Sequence, residues 1–249
     1  MKKMNQIFSL IVFLILNLLF ISKSFAQYNY GFELCEHDVL IDGRLNLNVD
    51  TGSVFIGFQS GVNINPEISK YNSAVGYEAG KNLTNGNSNT FIGYWAGLIE
   101  DVGGGNTYVG KSAGQRGSLS FRNSFFGIGA GFNNSGTDNL MLGANSGANN
   151  FTGNRNVFIG RNAGQNELGS DKLYIETAAF NEVDNTSPLI YGEFDNNLLR
   201  INGSMHVTEF ANLKPRSEAP SSPETGTIYY DSDDNKVKVW TGSAWENMN

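Results

Sequence analysis

One nine-residue pattern, Asn-x-apolar-apolar-Gly-x-x-Ala-Gly, recurs through the middle of the chain at an almost constant interval. Its central glycines are Gly57, Gly76, Gly93, Gly110, Gly127, Gly143 and Gly160, separated by 19, 17, 17, 17, 16 and 17 residues. Four residues ahead of them stand Asn72, Asn89, Asn106, Asn123, Asn139 and Asn156, with Ser53 in the first copy. Four residues behind stand Gly61, Gly80, Gly97, Gly114, Gly131, Gly147 and Gly164, each preceded by Ser or Ala. Fixed columns of this kind require a fixed backbone path. A repeat of 17 residues holding one short strand, a glycine corner and a polar return is too short for a β-α unit and fits one rung of a solenoid. The sequence therefore predicts an all-β fold: a parallel β-solenoid or β-roll of about seven 17-residue rungs, roughly 35 Å long at about 4.8 Å per strand. One asparagine per rung predicts a hydrogen-bonded ladder of side-chain amides.

Both positions ahead of each central glycine are apolar. The first column reads Phe55, Ala74, Phe91, Tyr108, Phe125, Met141, Phe158, and the second Ile56, Val75, Ile92, Val109, Phe126, Leu142, Ile159. Neighbouring strand residues point to opposite faces, so a strand with one wet face should alternate apolar with polar. These strands do not alternate. One column can fill the coil, and the other then requires cover from outside, either by a flanking segment folded back or by a homo-oligomer, with a trimer favoured.

The flanks divide the chain further. Residues 1–26 read as a signal peptide: Lys2 and Lys3, an apolar run from Ile7 to Ile21, and a small-residue exit at Ser24-Phe25-Ala26. That run is short for a membrane span and holds Asn17, so no integral membrane segment is expected in the mature chain. Residues 27–52 supply strands that cap the solenoid, including Val39 to Leu47, and 53–177 form the repeat domain, which ends on the glycine-free rung Leu173-Tyr174-Ile175. Residues 178–212 form a β-strand extension, with strands over Pro188–Phe194 and Leu198–Val207 around the turn Asp195-Asn196-Asn197. Residues 213–225 carry Pro215, Pro220 and Pro223 as a linker. Residues 226–249 form a C-terminal β-hairpin tip around Ser232-Asp233-Asp234-Asn235.

Cleavage after Ala26 would remove three lysines and no acid, leaving 14 Lys+Arg against 24 Asp+Glu and a net charge of −10. Such acidity without a basic cluster speaks against nucleic acid and anionic membranes as partners. It suits a secreted protein at the cell surface or beyond. The single cysteine, Cys35, leaves stability to packing rather than to a disulfide framework.

Catalysis would require convergent acids, bases or nucleophiles. His37 and His206 lie outside the repeats, and no paired His or Cys spacing marks a metal site. Glu78, Glu100, Asp101, Asp138 and Glu167 read as occupying different columns, so no carboxylate pair is expected from stacking. The longer return around Asn63 to Lys70 is the best place for an active-site loop. Asp231-x-Asp233-Asp234 lacks the ordered ligands of a calcium loop. The hydroxyl column Ser73, Thr90, Thr107, Ser124 could face an ice lattice, but Leu140 and Val157 interrupt it. No catalytic residue, metal or cofactor is expected. Tyr229, Tyr230, Trp240 and Trp245 are the candidate ligand-binding set, either as a sugar-stacking platform or as the core of the tip.

The repeats resemble the head repeats of trimeric adhesins, whose Asn-Ser-apolar-x-apolar-Gly rungs form trimeric left-handed β-rolls. Asn89-Thr90-Phe91-Ile92-Gly93-Tyr94-Trp95-Ala96-Gly97 is closer still to the Asn-Thr-x-Ile-Gly-x-x-Ala repeats of fibre-like secreted proteins of the Bacteroidetes group. The motif is one residue shorter between Asn and Gly than in adhesin heads, and neither outer-membrane strands nor a helical stalk is recognised. The resemblance implies a non-catalytic extracellular structural or adhesion protein, a rigid head presenting a surface or tip to a glycan or to a host or matrix ligand. Gly226 to Trp245 is similar to terminal modules of tail-fibre-like proteins, which implies a carbohydrate-binding, receptor-binding role as the alternative. A β-helix polysaccharide-degrading enzyme or an ice-binding protein fits the residues less well.

Overall fold

The computed structural model describes residues 52–177 and 188–248. The expected signal peptide, the capping strands before residue 52, Cys35 and His37 lie outside the described residues. The described residues form an all-β protein: a parallel solenoid followed by a small antiparallel sheet.

Seven motif strands, Val54–Ile56 (β1), Ser73–Val75 (β2), Thr90–Ile92 (β3), Thr107–Val109 (β4), Ser124–Phe126 (β5), Leu140–Leu142 (β6) and Val157–Ile159 (β7), stack in chain order and in register. Phe91, for example, stands beside Ala74 on one side and Tyr108 on the other. Lys172–Ile175 (β8) adds an eighth parallel strand. Ile190–Glu193 (β9) and Leu198–Ile201 (β10) then extend the same sheet as an antiparallel hairpin, making ten strands. Strand pairing expected over Leu198–Val207 stops at Ile201. There Asn202 turns the chain away, its N–H donating to the Leu189 carbonyl (2.9 Å) and its side-chain amide to that of Pro188 (2.7 Å).

The interior resolves the ambiguity of the two apolar columns. Ala74, Phe91, Tyr108, Phe125, Met141 and Phe158 are fully buried, and Phe55 packs against them. Phe91, Tyr108 and Phe125 stack with ring centroids 5.1 and 4.8 Å apart. The second column therefore points outward, as strand alternation demands.

Glycine is dictated at the corners by both space and angle. Gly93 has φ 137°, and a Cβ built there would lie 2.5 Å from the Gly110 carbonyl oxygen of the next rung. At Gly97 (φ 59°) a Cβ would meet the Phe91 ring at 2.8 Å. Two further left-handed positions per rung are occupied mostly by other residues: Gln59, Glu78, Trp95, Ser112, Asn145 and Asn162 in one column, and Tyr71, Ser88, Arg122, Asp138, Arg155 and Asp171 in the other. Left-handed backbone costs such residues about 1–2 kcal/mol each. Hydrogen bonds between rungs offset it, as in Trp95 N–H to Tyr77 O (3.0 Å) and Ser88 N–H to Lys70 O (3.0 Å).

The asparagine column is buried, and its hydrogen bonds run mainly to the backbone. Asn89 Oδ1 accepts the Asn106 N–H (3.0 Å), and Asn106 Oδ1 accepts the Asn123 N–H (3.0 Å). Their Nδ2 groups donate to the carbonyls of Gly103 (2.8 Å) and Ser120 (2.7 Å). Direct amide-to-amide bonds join Asn89 to Asn72 and Asn139 to Asn123, at 3.1 Å in each case. The expected ladder of amides is thus chiefly a side-chain-to-backbone ladder, because buried N–H and C=O groups of the return segment require partners first.

Beyond β10 the chain runs to the three-stranded antiparallel sheet Ile228–Asp231 (β11), Lys236–Trp240 (β12) and Trp245–Asn247 (β13). The linker is tied to this sheet at one point, where Arg216 N–H donates to Tyr230 O (3.0 Å) and Ser232 N–H to Arg216 O (2.9 Å).

Candidate functional site

Two places gather side chains of functional interest: the C-terminal tip and the outer face of the ten-stranded sheet.

In the tip, strand pairing sets Tyr229 beside Lys238 and Trp240 beside Trp245 on one face, and Tyr230 beside Val237 on the other. The four candidate aromatics therefore do not form one platform. Tyr229 is buried and meets Trp245 edge to face at 4.8 Å, while Trp240 and Trp245 are tilted at 5.4 Å. Such packing spends ring faces on one another. Tyr230 instead joins Phe210, Leu213, Pro215 and Val237 around an open apolar cleft of about 450 Å³.

Asp231 organises the acidic turn. Its Oδ1 accepts the N–H of Asp233 (2.9 Å) and of Asp234 (3.2 Å), and its Oδ2 faces Tyr229 Oη (2.9 Å) and Lys238 Nζ (2.8 Å). The hydrogen bond from Lys238, then that from Tyr229, holds its carboxyl well below the usual range. Both oxygens are committed within the protein. Among the described residues no group of three or more His, Cys, Asp or Glu is arranged to hold a metal ion.

The outer face carries a continuous apolar column. It runs Ile56, Val75, Ile92, Val109, Phe126, Leu142, Ile159 through the motif rungs and then, by register, Ile175, Ile190 and Ile201 through β8, β9 and β10. Half of the column is exposed, Ile56 (47%), Ile92 (42%), Phe126 (37%), Leu142 (46%) and Ile201 (39%), and the other half, Val75, Val109, Ile159, Ile175 and Ile190, is half-buried. Just past the glycine corner, Phe58, Tyr77 and Tyr94 stack at 5.3 and 5.2 Å and are also exposed. Those rings face one another along the stack, so they offer solvent their edges rather than a flat sugar-binding surface.

The carboxylates are dispersed, with one correction to the reading of their columns. Glu100 and Glu167 share a column, each three residues past the second glycine of its rung. Four rungs separate them, about 19 Å, too far for paired catalysis. Each instead serves a tyrosine of the next rung, Glu100 Oε2 lying 3.3 Å from Tyr108 Oη and Glu167 Oε2 accepting from Tyr174 Oη at 2.6 Å. Tyr108 and Tyr174 are the buried tyrosines of the inward column, where a phenol without a partner would be costly. Burial raises the Glu100 carboxyl above its ordinary range, opposed by hydrogen bonds from Ser120 and Tyr108, and burial raises the Tyr108 phenol well above its own. A tyrosine inward and a glutamate in the preceding return were the sequence signal for this pairing.

Four further acids are bonded within the solenoid, Asp101 accepting from the Thr84 hydroxyl. Glu78 binds Lys81 (2.8 Å) and accepts from Trp95 Nε1 (2.8 Å). Arg122 grips Asp138, and Arg155 grips Asp171, with two hydrogen bonds each. The longer return, Asn63 to Lys70, closes on Asn65, whose side chain accepts the Glu67 N–H and whose carbonyl accepts the Ser69 N–H. It presents no convergent acid and base. No protein-family model, curated protein or solved structure matches the chain.

Proposed function

We propose that this protein is a non-catalytic structural and adhesion module of the cell exterior, exported by its N-terminal signal and assembled as a homo-oligomer, with a trimer favoured. The solenoid is the rigid head, and the outer face and tip are the surfaces it presents. One observation carries the reading: the outward apolar column continues unbroken through β8, β9 and β10, which lack the repeat motif. Duplication of a rung would copy an apolar position seven times, but it does not explain three more beyond the copies. Isolated exposed apolar residues are ordinary, whereas a stripe of ten strands, about 43 Å long, marks a surface that meets another. A carbohydrate-binding tip is the weaker reading, supported by the half-exposed Trp240 and Trp245 and opposed by the burial of Tyr229 and the separation of Tyr230.

Two adjacent substitutions test the assembly. Phe91→Asp places a charge in the filled interior and should unfold the rungs, a loss of more than about 5 kcal/mol. Ile92→Asp places it on the outer stripe and should leave the β signal in circular dichroism intact while reducing the mass by light scattering to one chain. A wild-type protein of monomer mass, or an Ile92→Asp variant of unchanged mass, would refute the assembly.

A further inference from the structure

We propose that residues 203–210 are an exchange strand that pairs with the free edge of β10 in a second copy of this chain. The inference rests on the homo-oligomer proposed above and names the segment that joins the copies. The sequence Met205-His206-Val207-Thr208 alternates apolar with polar, as a half-covered strand does. Yet strand pairing ends at Ile201, and residues 203–214 make no backbone hydrogen bond to another described residue. Every residue from Phe194 to Asn212 is exposed, Met205 at 67% and Phe210 at 80%. Strand chemistry without a strand partner among the described residues is what an arm that pairs with a second copy requires.

The complementary half stands next to it. Among the described residues β10 closes the ten-stranded sheet, pairs only with β9, and has all four residues exposed. Edge strands are ordinarily guarded by lysine, proline or a bulge. β10 reads Leu-Leu-Arg-Ile, and its one charge is engaged within the chain, the Arg200 guanidinium lying 5.6 Å from the centre of the Tyr191 ring. An arm from a neighbour would supply backbone partners for this edge and lay Met205 and Val207 beside Leu199 or Leu198. Glu209 of the arm also bears the charge opposite to Arg200. Exchange of this kind passes from each copy to the next, so it closes a ring of three as readily as a pair.

Proline at Met205 and Val207 tests the idea, because the segment is exposed coil and loses no bond of the folded chain. The double variant Met205→Pro/Val207→Pro should keep the wild-type circular dichroism and raise the dissociation constant of the oligomer about tenfold or more. Hydrogen exchange at Leu199 and Ile201, whose N–H groups alternate with the β9-bonded one of Asn202 and so point to the free edge, should be slow in the wild-type assembly and fast in the variant. An unchanged mass with unchanged exchange, in a protein that Ile92→Asp still dissociates, would overturn the exchange strand and leave the outer-stripe assembly standing. A monomeric wild type would overturn both.

Discussion

The solenoid and the tip are both β-structure, but they are held in different ways. In the solenoid the inner rungs repeat the same few contacts, an inward aromatic or aliphatic side chain, a buried asparagine and glycines against the next backbone, so stability does not hang on one of them. The tip has three short strands and relies on particular pairs, Asp231 with Lys238 and Tyr229 with Trp245. Repetition spreads stability along a stack, whereas a small sheet concentrates it in a few side chains. The two regions should therefore fail separately and respond oppositely to pH.

The largest effect should come from the ladder. Asn106→Ala would leave the Asn123 N–H buried without a partner and strip the Ser120 carbonyl of one of its two donors, the Gly104 N–H remaining, a cost of about 2 kcal/mol. Calorimetry should show the solenoid transition lowered while the indole NMR signals of Trp240 and Trp245 stay in place at temperatures below it. A single transition carrying both regions down together would break the contrast.

A smaller, pH-dependent effect sharpens it. Glu100 has its folded pKa raised, so its share of stability is complete below the ordinary glutamate value and is lost as pH rises through the raised one. Asp231 has its folded pKa lowered, so its share is present above the ordinary aspartate value and is lost as pH falls through the lowered one. Acidification should thus loosen the tip at Asp231 while favouring the solenoid at Glu100. Glu100→Gln should raise the solenoid melting temperature at neutral pH and flatten its decline as pH rises from the ordinary glutamate value through the raised one. A steeper decline in the variant would contradict the buried-carboxyl account.

The smallest effect belongs to the surface. Arg155→Ala removes both hydrogen bonds to Asp171, yet the arginine side chain is 61% exposed. Exposed ion pairs contribute little, so the melting temperature should move by no more than about two degrees. A larger drop would mean that the Arg and Asp column is part of what holds the rungs in register.

The solenoid was legible because its constraints are written once per rung. Gly93 and Gly110 are required by backbone contact, and a spacing of 17 residues leaves room for little else. Which apolar column faced inward was not legible, since Phe91 and Ile92 are equally apolar and only the path of the corner sets their directions. The left-handed positions at Trp95 and Ser88 are not legible either, because residues without glycine's freedom occupy them. The surface proposed for assembly was half visible: the outer column could be counted in the repeats, but its continuation through Ile190 and Ile201 depends on the antiparallel register of a hairpin without the motif. In the tip, four aromatics close in sequence looked like one patch until strand alternation put Tyr230 on the opposite side.

The uninterrupted order of β1 to β8, in which each strand pairs with its neighbours in sequence and with no other described strand, makes reach an adjustable property. Gaining or losing one whole copy would move the two ends by one strand spacing, about 4.8 Å, while every side chain kept the surroundings it already has. A protein built in this way can be lengthened in increments, like a telescoping rod, without relearning how to fold.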